Sequence, residues 1–435
     1  MSATSKTERA TLVAANGRAR RPTEPPQGDL SHAESQRGGE RRDLWFGNAP
    51  EGWSVGKMRS VVYERREKFS RNEELIILSL LKDVGVIPYS EKGEIGNKSK
   101  EDHSQYKVAR KGDLVINSMN VIIGSVGISP YDGYISPAYY SFVPREDTCM
   151  GFIGYLCSTR RFQRAVRCYA KGIMEIRLRV SSYDFLSMPI PLPPLPEQKA
   201  IVAYLDAETG RIDKAIAAEE KMVALLQERR EIVINEAVTP HDGWEMRPLR
   251  AFLRSVSVRN RPDEQLLSVT REAGVIVRDV SSKEENHNYI PDDLSNYKFV
   301  AKGQFVINKM KAWQGSYGVS PYDGIVSPAY FVYDLTFPCK VFFNLALRSK
   351  VYVPYFQRYS KGIRIDQWDL MPEALKVISF AYPPLPEQKA IVERLDRETG
   401  KIDRAIEVKR RQIELLRERR QIVIDEVVTG QVKVA

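Results

Sequence analysis

Two long stretches of this chain repeat an apolar residue every three or four positions, and both open with the same ten letters. Pro193–Val202 and Pro383–Val392 each read PPLPEQKAIV. Behind the first, Leu205, Ile212, Leu226 and Val233 hold one seam position of a heptad, with Thr209, Ile216, Val223 and Ala237 on its neighbour. Behind the second, Leu395, Ile402, Leu416 and Val423 are joined by Thr399, Ile406, Ile413 and Val427. About four and a half heptads with charged flanks predict two long helices, 196–238 and 386–430, that form a coiled coil. Pro196 and Pro386 suit a first helical turn, where the missing N–H would be unpaired anyway. Glu197 and Glu387 then lie near the positive end of the helix dipole.

Both seams break at matching places: Glu219 corresponds to Lys409, and Arg230 to Arg420. Either direction of pairing lets the carboxylate face the ammonium near the helix midpoints, but parallel pairing would also stack Arg230 on Arg420. Antiparallel helices about a pseudo-two-fold axis are therefore expected; the alternative is two surface helices, each packed on its own globular unit. At 1.5 Å per residue each helix is roughly 64 Å long, comparable to about two turns of B-DNA at ~34–36 Å per turn.

The rest of the chain repeats on the same period. GWSVGKMRS at Gly52 aligns with GWEMRPLRA at Gly243, KGDLVIN at Lys111 with KGQFVIN at Lys302, and SPYDGYISPAY at Ser129 with SPYDGIVSPAY at Ser320. YAKGI at Tyr169 aligns with YSKGI at Tyr359. Two copies of this length read as duplicated domains rather than a solenoid. The plan is a leader (1–43), a globular domain (44–195), a helix (196–238), a second domain (239–385) and a second helix (386–430). DLVINSM and QFVINKM read as strands followed by an SPYDG turn, and Gly151–Tyr169 and Lys340–Tyr359 as helices ended by Gly172 and Gly362. The leader is rich in Ser, Thr, Gly, Arg and Glu and reads as a flexible tail; a DNA contact through Arg18, Arg20 and Arg21 is the other use for it.

Charge narrows the choice of partner. The 435-residue chain carries a formal net charge of +10. Leu44–Leu195 has 21 basic and 16 acidic residues and Thr239–Leu385 has 19 and 15, whereas the first helix is net −3 and the second net +1. The surplus therefore lies in the globular domains and the tail, which points an anionic partner such as DNA to the domains and leaves the helices for protein contacts. Within the repeat, SMNVII (Ser118–Ile123) faces KMKAWQ (Lys309–Gln314) between identical flanks. Shared residues suit a scaffold and divergent ones suit reading of base edges, which nominates Ser118 and Asn120 in one copy and Lys309, Lys311, Trp313 and Gln314 in the other. A second divergent window, at the KGI turn, adds Lys171, Arg177 and Arg179, and Lys361, Arg364 and Gln367. The other reading of both windows is that loops simply vary.

Several chemistries find no support. Four cysteines make no CxxC pair and four histidines no HExxH, so neither a disulfide frame nor a zinc site is expected. No GxxxxGK[ST], GxGxxG or NPPY-type motif is present, and Asp132 and Asp323 of SPYDG read as turn residues. No run of eighteen apolar residues exists, and the N-terminus lacks a signal-peptide pattern. A reduced, cytoplasmic, non-catalytic protein is expected.

Taken in this order, PPLPEQKAIV used twice, the helix endings ERREIVINEAVT and ERRQIVIDEVVTG, KGDLVIN/KGQFVIN, SPAY and WFGNAPEGW at Trp45–Trp53 resemble the DNA specificity subunit of type I restriction–modification systems. The resemblance runs from Leu44 to the C-terminus. It implies an α+β fold: two tandem target-recognition domains joined by two long helices in an antiparallel coiled coil with pseudo-two-fold symmetry. Each domain would read half of a bipartite double-stranded DNA target, and the helices would set the spacing. The subunit would hold two methyltransferase subunits and, through them, motor–nuclease restriction subunits, in the service of DNA methylation and host defence. S-adenosylmethionine, ATP and magnesium would belong to those partners. The repeated helix starts nominate Pro194, Leu195, Glu197 and Gln198, with Pro384, Leu385, Glu387 and Gln388, as partner contacts; recent duplication is another source of their identity. Two rivals stay open: a coiled-coil scaffold that leaves DNA alone, and a self-contained nuclease.

Overall fold

A computed structural model describes residues 44–70, 74–82, 84–93, 103–172, 178–280, 290–362 and 368–434. The leader assigned to 1–43 lies outside them. Every element below belongs to one continuous unit, Trp45–Ala435, in which two sheet-rich lobes share a pair of long helices.

Each lobe closes on itself at once. Its opening strand pairs antiparallel with the strand that leads into its long helix: Ser54–Lys57 with Pro189–Leu192, and Glu245–Pro248 with Ser379–Tyr382. The principal sheet of the first lobe runs, in spatial order, Val62–Glu64, Tyr139–Pro144, Leu114–Asn117, Val126–Ile128, all antiparallel. In the second lobe the order is Leu253–Val256, Tyr330–Leu335, Phe305–Asn308, Tyr317–Val319. Corresponding strands of the principal sheets are offset by 191 residues, and the strands that lead into the long helices and the helices themselves by 190. One residue is therefore lost between the strand ends at 144 and 335 and the helices that follow them.

The VIN motif shows why this strand is central. Leu114 and Ile116 point into a helix-covered core, while Val115 points into a second core with Leu78, Leu80 and Ile135. Phe305 and Ile307 likewise face one core and Val306 another. A strand covered on both faces reads as a continuous apolar run rather than an alternation. The second layer contains Gly85–Pro88, Ile76–Leu81, Gly133–Ile135 and Lys107–Ala109, with Ile76 running parallel to Gly133.

The helices are α1 (Met150–Ser158), α2 (Arg160–Arg167), α3 (Ser182–Leu186) and α4 (Leu195–Val238), then α5 (Lys340–Arg348), α6 (Val353–Arg358) and α7 (Leu385–Val428). The single helices expected over Gly151–Tyr169 and Lys340–Tyr359 are each broken in two, and end at Arg167 and Arg358 rather than at Gly172 and Gly362. Thr159 and Ser349 cause the break. Both are extended, and the Thr159 hydroxyl accepts the Phe162 N–H at 3.1 Å, which caps the next helix.

The long helices α4 and α7 run antiparallel. As the residue number rises along one, its partner's number falls: Asp213 meets Arg420 at 2.9 Å, Glu219 meets Lys409 at 3.0 Å, and Arg230 meets Asp403 at 2.8 Å. The outer two contacts are copies of one pair, since 213 and 403, like 230 and 420, differ by 190. Glu219–Lys409 therefore lies close to the pseudo-two-fold axis. The sequence read Arg230 and Arg420 as flaws in the seam; antiparallel pairing gives each a carboxylate. Such partly exposed pairs add little stability but select one register, because a shift of one heptad would break all three. Burial of Leu205, Ile212, Val233, Leu395, Ile406 and Ile413 holds the pair together.

The rods also exchange ends. Ile424, Val427 and Val428 of α7 enter the core of the first lobe beside Ile201 and Leu205 of α4. Val233, Ala237 and Val238 of α4 enter the second lobe's core beside Ile391 and Leu395 of α7. Polar contacts echo this on both sides: Arg161 binds Asp425 at 2.5 Å, and Lys350 binds Glu231 at 2.6 Å. Two helices each packed only on its own lobe are thereby excluded. No helix among the described residues is long and apolar enough to cross a membrane.

Leu205 is fully buried and Leu225, on the same helix, is 48% exposed. In urea denaturation Leu205→Ala is expected to cost about 2–4 kcal/mol, and Leu225→Ala less than about 0.5 kcal/mol.

Candidate nucleic-acid interface

Both central strands end at an asparagine, Asn117 or Asn308, and the chain then folds into one 3-10 turn, Val121–Ile123 or Ala312–Gln314. The backbone bonds match. Asn120 N–H donates to Asn117 and Lys311 N–H to Asn308, both at 3.1 Å, and Gly124 and Gly315 close their turns on Val121 and Ala312. These glycines sit at φ +98° and +93°, a region that costs any other residue strain. One backbone scaffold thus presents two sets of side chains, SMNVII and KMKAWQ.

The second divergent window lies beside the first. Val180 N–H donates to the Ser118 carbonyl, and Leu370 N–H to the Lys309 carbonyl, each at 2.9 Å. Lys171 and Arg179 exchange backbone bonds, and Ser360–Lys361 pairs with Asp369–Leu370. Windows about 55 residues apart in sequence therefore form one surface per lobe.

The nominated residues divide within that surface. Asn120, Lys171, Arg179, Lys311 and Lys361 are exposed, and Gln314 is half-buried. Ser118 is buried at 5% exposure, and its carbonyl and N–H serve the backbone framework, so its side chain is no reader of bases. Lys309 is held by Asp369 at 2.9 Å, and Lys171 by Asp184 at 3.0 Å. The Ser181 hydroxyl, then Lys171, keep the Asp184 carboxyl below the usual carboxylate range. Trp313 is half-buried against Trp368, ring centroids 5.6 Å apart, and its buried indole N–H has no partner among the described residues. Arg177, Arg364 and Gln367 lie outside the described residues.

The helix starts nominated for partner contact are turned partly inward. Glu197 accepts the Trp53 indole N–H at 2.9 Å and Glu387 that of Trp244 at 3.3 Å. Gln198 and Gln388 are buried, and their amides donate to the carbonyls of Pro193 and Pro383 at 2.9 and 2.8 Å. Glu197 and Glu387, with Gln198 through the Cys149 N–H at 3.3 Å, latch each rod to its own lobe, and the glutamine amides brace the turn into the helix. Pro194, Pro384 and Leu385 are left exposed and Leu195 half-exposed. The latch supplies an internal reason for the repeated PPLPEQ. Asp132 and Asp323 accept the N–H of Lys111 and Lys302 at 2.7 Å, an ordinary turn role.

Two lysines escaped the sequence reading. Lys107 and Lys298 are half-buried at equivalent positions in the two lobes. The repeated dipeptide Tyr106-Lys107 and Tyr297-Lys298 was the signal. Among the described residues no group of three or more His, Cys, Asp and Glu side chains is placed to hold a metal ion.

The class is now defined: a duplicated α+β protein in which an antiparallel rod pair carries two variations of one loop surface. Residues 50–221 match the family model described as the type I restriction modification DNA specificity domain. Over 311 residues the chain is 24% identical to the type I restriction enzyme EcoKI specificity subunit of Escherichia coli (strain K12), a match covering 64% of this chain and 63% of the relative's length. In fold, 88% of the chain matches all of a chain from a structure concerned with complex assembly and conformational transition of the type I R-M system, at TM-score 0.64 and 17% identity. The HsdS subunit from Thermoanaerobacter tengcongensis aligns over 88% of this chain and 98% of its own at TM-score 0.46 and 18% identity. The chain's likeness, in sequence and in named relatives, is to the DNA specificity subunits of type I restriction–modification systems.

The left-handed glycine of the second lobe's divergent turn gives a direct check on that loop. Gly315→Ala is expected to cost about 1–2 kcal/mol and to shift Trp313 fluorescence, since the turn that holds the indole must rearrange.

Proposed function

We propose that this chain is a sequence-specific DNA-binding subunit of a type I restriction–modification complex and is not itself catalytic. Each lobe reads one half of a bipartite duplex target through its paired windows, and the rods set the distance between the halves. The observation that carries this reading is the identical backbone turn with different exposed side chains in the two lobes. A scaffold with interchangeable loops suits two half-sites of unlike sequence. Its rods, 44 residues each, extend about 66 Å.

The rods also suit a protein partner. Off the seam, Leu225 and Ile232 on α4 and Val408, Leu415 and Ile422 on α7 recur every seven residues, each between 38% and 55% exposed. Apolar positions at heptad spacing fit a helical partner. We assign them, with Pro194, Leu195, Pro384 and Leu385, to the docking of two methyltransferase subunits, which bring restriction subunits with them. S-adenosylmethionine, ATP and magnesium then act on those partners.

Selection from a randomised duplex library tests the reading. Lys311→Ala or Trp313→Ala is expected to relax one half-site by about 1–3 kcal/mol per lost base contact and leave the other half unchanged. Relaxation of both halves together would contradict one lobe per half. Adding one heptad to both rods should lengthen the preferred spacer, and an unchanged spacer would remove the ruler. Cleavage of plasmid by the pure chain with magnesium would overturn the non-catalytic assignment.

A further inference from the structure

A residue kept in both lobes beside turns that have diverged serves a need the lobes share. Lys107 and Lys298 open the short strands Lys107–Ala109 and Lys298–Val300, which pair with Gly133–Ile135 and Gly324–Val326. Each ammonium donates to a backbone carbonyl, Lys107 to Tyr139 at 2.7 Å and Lys298 to Tyr330 at 2.6 Å. Each also lies near an aromatic ring, 4.2 Å from the Tyr140 centroid and 6.0 Å from Phe331. An ammonium has three donors, and the carbonyl takes one.

A second cation stands beside each lysine. Lys68 is bridged through its backbone to Lys107, and Arg259, its counterpart 191 residues on, follows Val258, which is bridged to Phe299. Lys68 and Arg259 are exposed. None of the four forms an ion pair among the described residues, in contrast with Lys171 and Lys309. Burial, then Arg259 and Lys309, lower the proton affinity of Lys298; burial does the same to Lys107, opposed by Glu64 and aided by Lys68. Like charges gathered at a half-buried site repel one another, and a bound anion would remove that penalty. In the second lobe the pair adjoins Lys309, at the start of the reading turn.

We propose that Lys68 with Lys107, and Arg259 with Lys298, form a phosphate-binding pair in each lobe that anchors the DNA backbone without reading its sequence. The inference rests on the DNA-reading function above and adds a sequence-independent anchor beside each reading surface. Division of labour explains the conservation between lobes: phosphates are the same in both half-sites, while bases differ.

Binding of the full chain to a fluorescent duplex of random sequence, measured between about 50 and 200 mM salt, provides the test, since each phosphate contact contributes about −0.9 to the slope of log K against log salt. The double variant Lys68→Ala/Arg259→Ala alters exposed residues and should keep the wild-type urea midpoint. Its slope should be shallower by about 1.8, with affinity reduced by one common factor on every duplex tested. Lys107→Arg/Lys298→Arg should keep the wild-type slope, and Lys107→Met/Lys298→Met should lose it to a similar extent. Slopes that coincide with wild type in Lys68→Ala/Arg259→Ala would overturn the anchor while leaving the DNA-reading function standing. A wild-type chain that binds no duplex at all would overturn both.

Discussion

The architecture depends on a reciprocal apolar contact: the C-terminal end of each long helix completes the core of the other copy's lobe. Ile424, Val427 and Val428 pack with Leu205, and Val233, Ala237 and Val238 with Leu395. Helix ends normally fray because their last carbonyls lack partners. Here those ends are among the most buried residues of the rods. Neither lobe can tilt on its rod without opening a core, so the coiled coil acts as a spacer of fixed length rather than a hinge.

Charge and burial then divide the labour. The apolar seam supplies cohesion, and three ion pairs related by the pseudo-two-fold axis select its register. The Trp53–Glu197 and Trp244–Glu387 bonds fix the angle at which each rod leaves its lobe. On this frame the sheets hold two identical turns, and the side chains on those turns are the part free to differ.

Much of this was legible in the sequence because it is periodic or repeated. The heptad exposed the rods, and the repulsion that parallel pairing would set up between Arg230 and Arg420 gave their direction. The swapped helix ends were not legible, since nothing in a heptad says which lobe its last turn meets. Gln198 and Gln388 were nominated as partner contacts from the repeated helix start, but each amide N–H donates to a proline carbonyl five residues earlier inside the fold. The breaks at Thr159 and Ser349 carried a local signal, a hydroxyl residue before a basic one, of which only Thr159 caps the next helix, and an apolar periodicity running across them concealed it. Of the proposed interface, the divergent windows were visible one at a time. Their adjacency comes from the backbone bonds Val180–Ser118 and Leu370–Lys309, which join segments distant in sequence.

Hydrogen–deuterium exchange of the intact chain measures the central contact directly. Amides of residues 423–428, six to eleven positions from the last described residue, and of 233–238 should be protected as strongly as those of the lobe-core helices α1 and α5. Exchange of these helix ends within seconds, as for frayed termini, would mean that the rods do not close the opposite cores, and the fixed spacing would go with them.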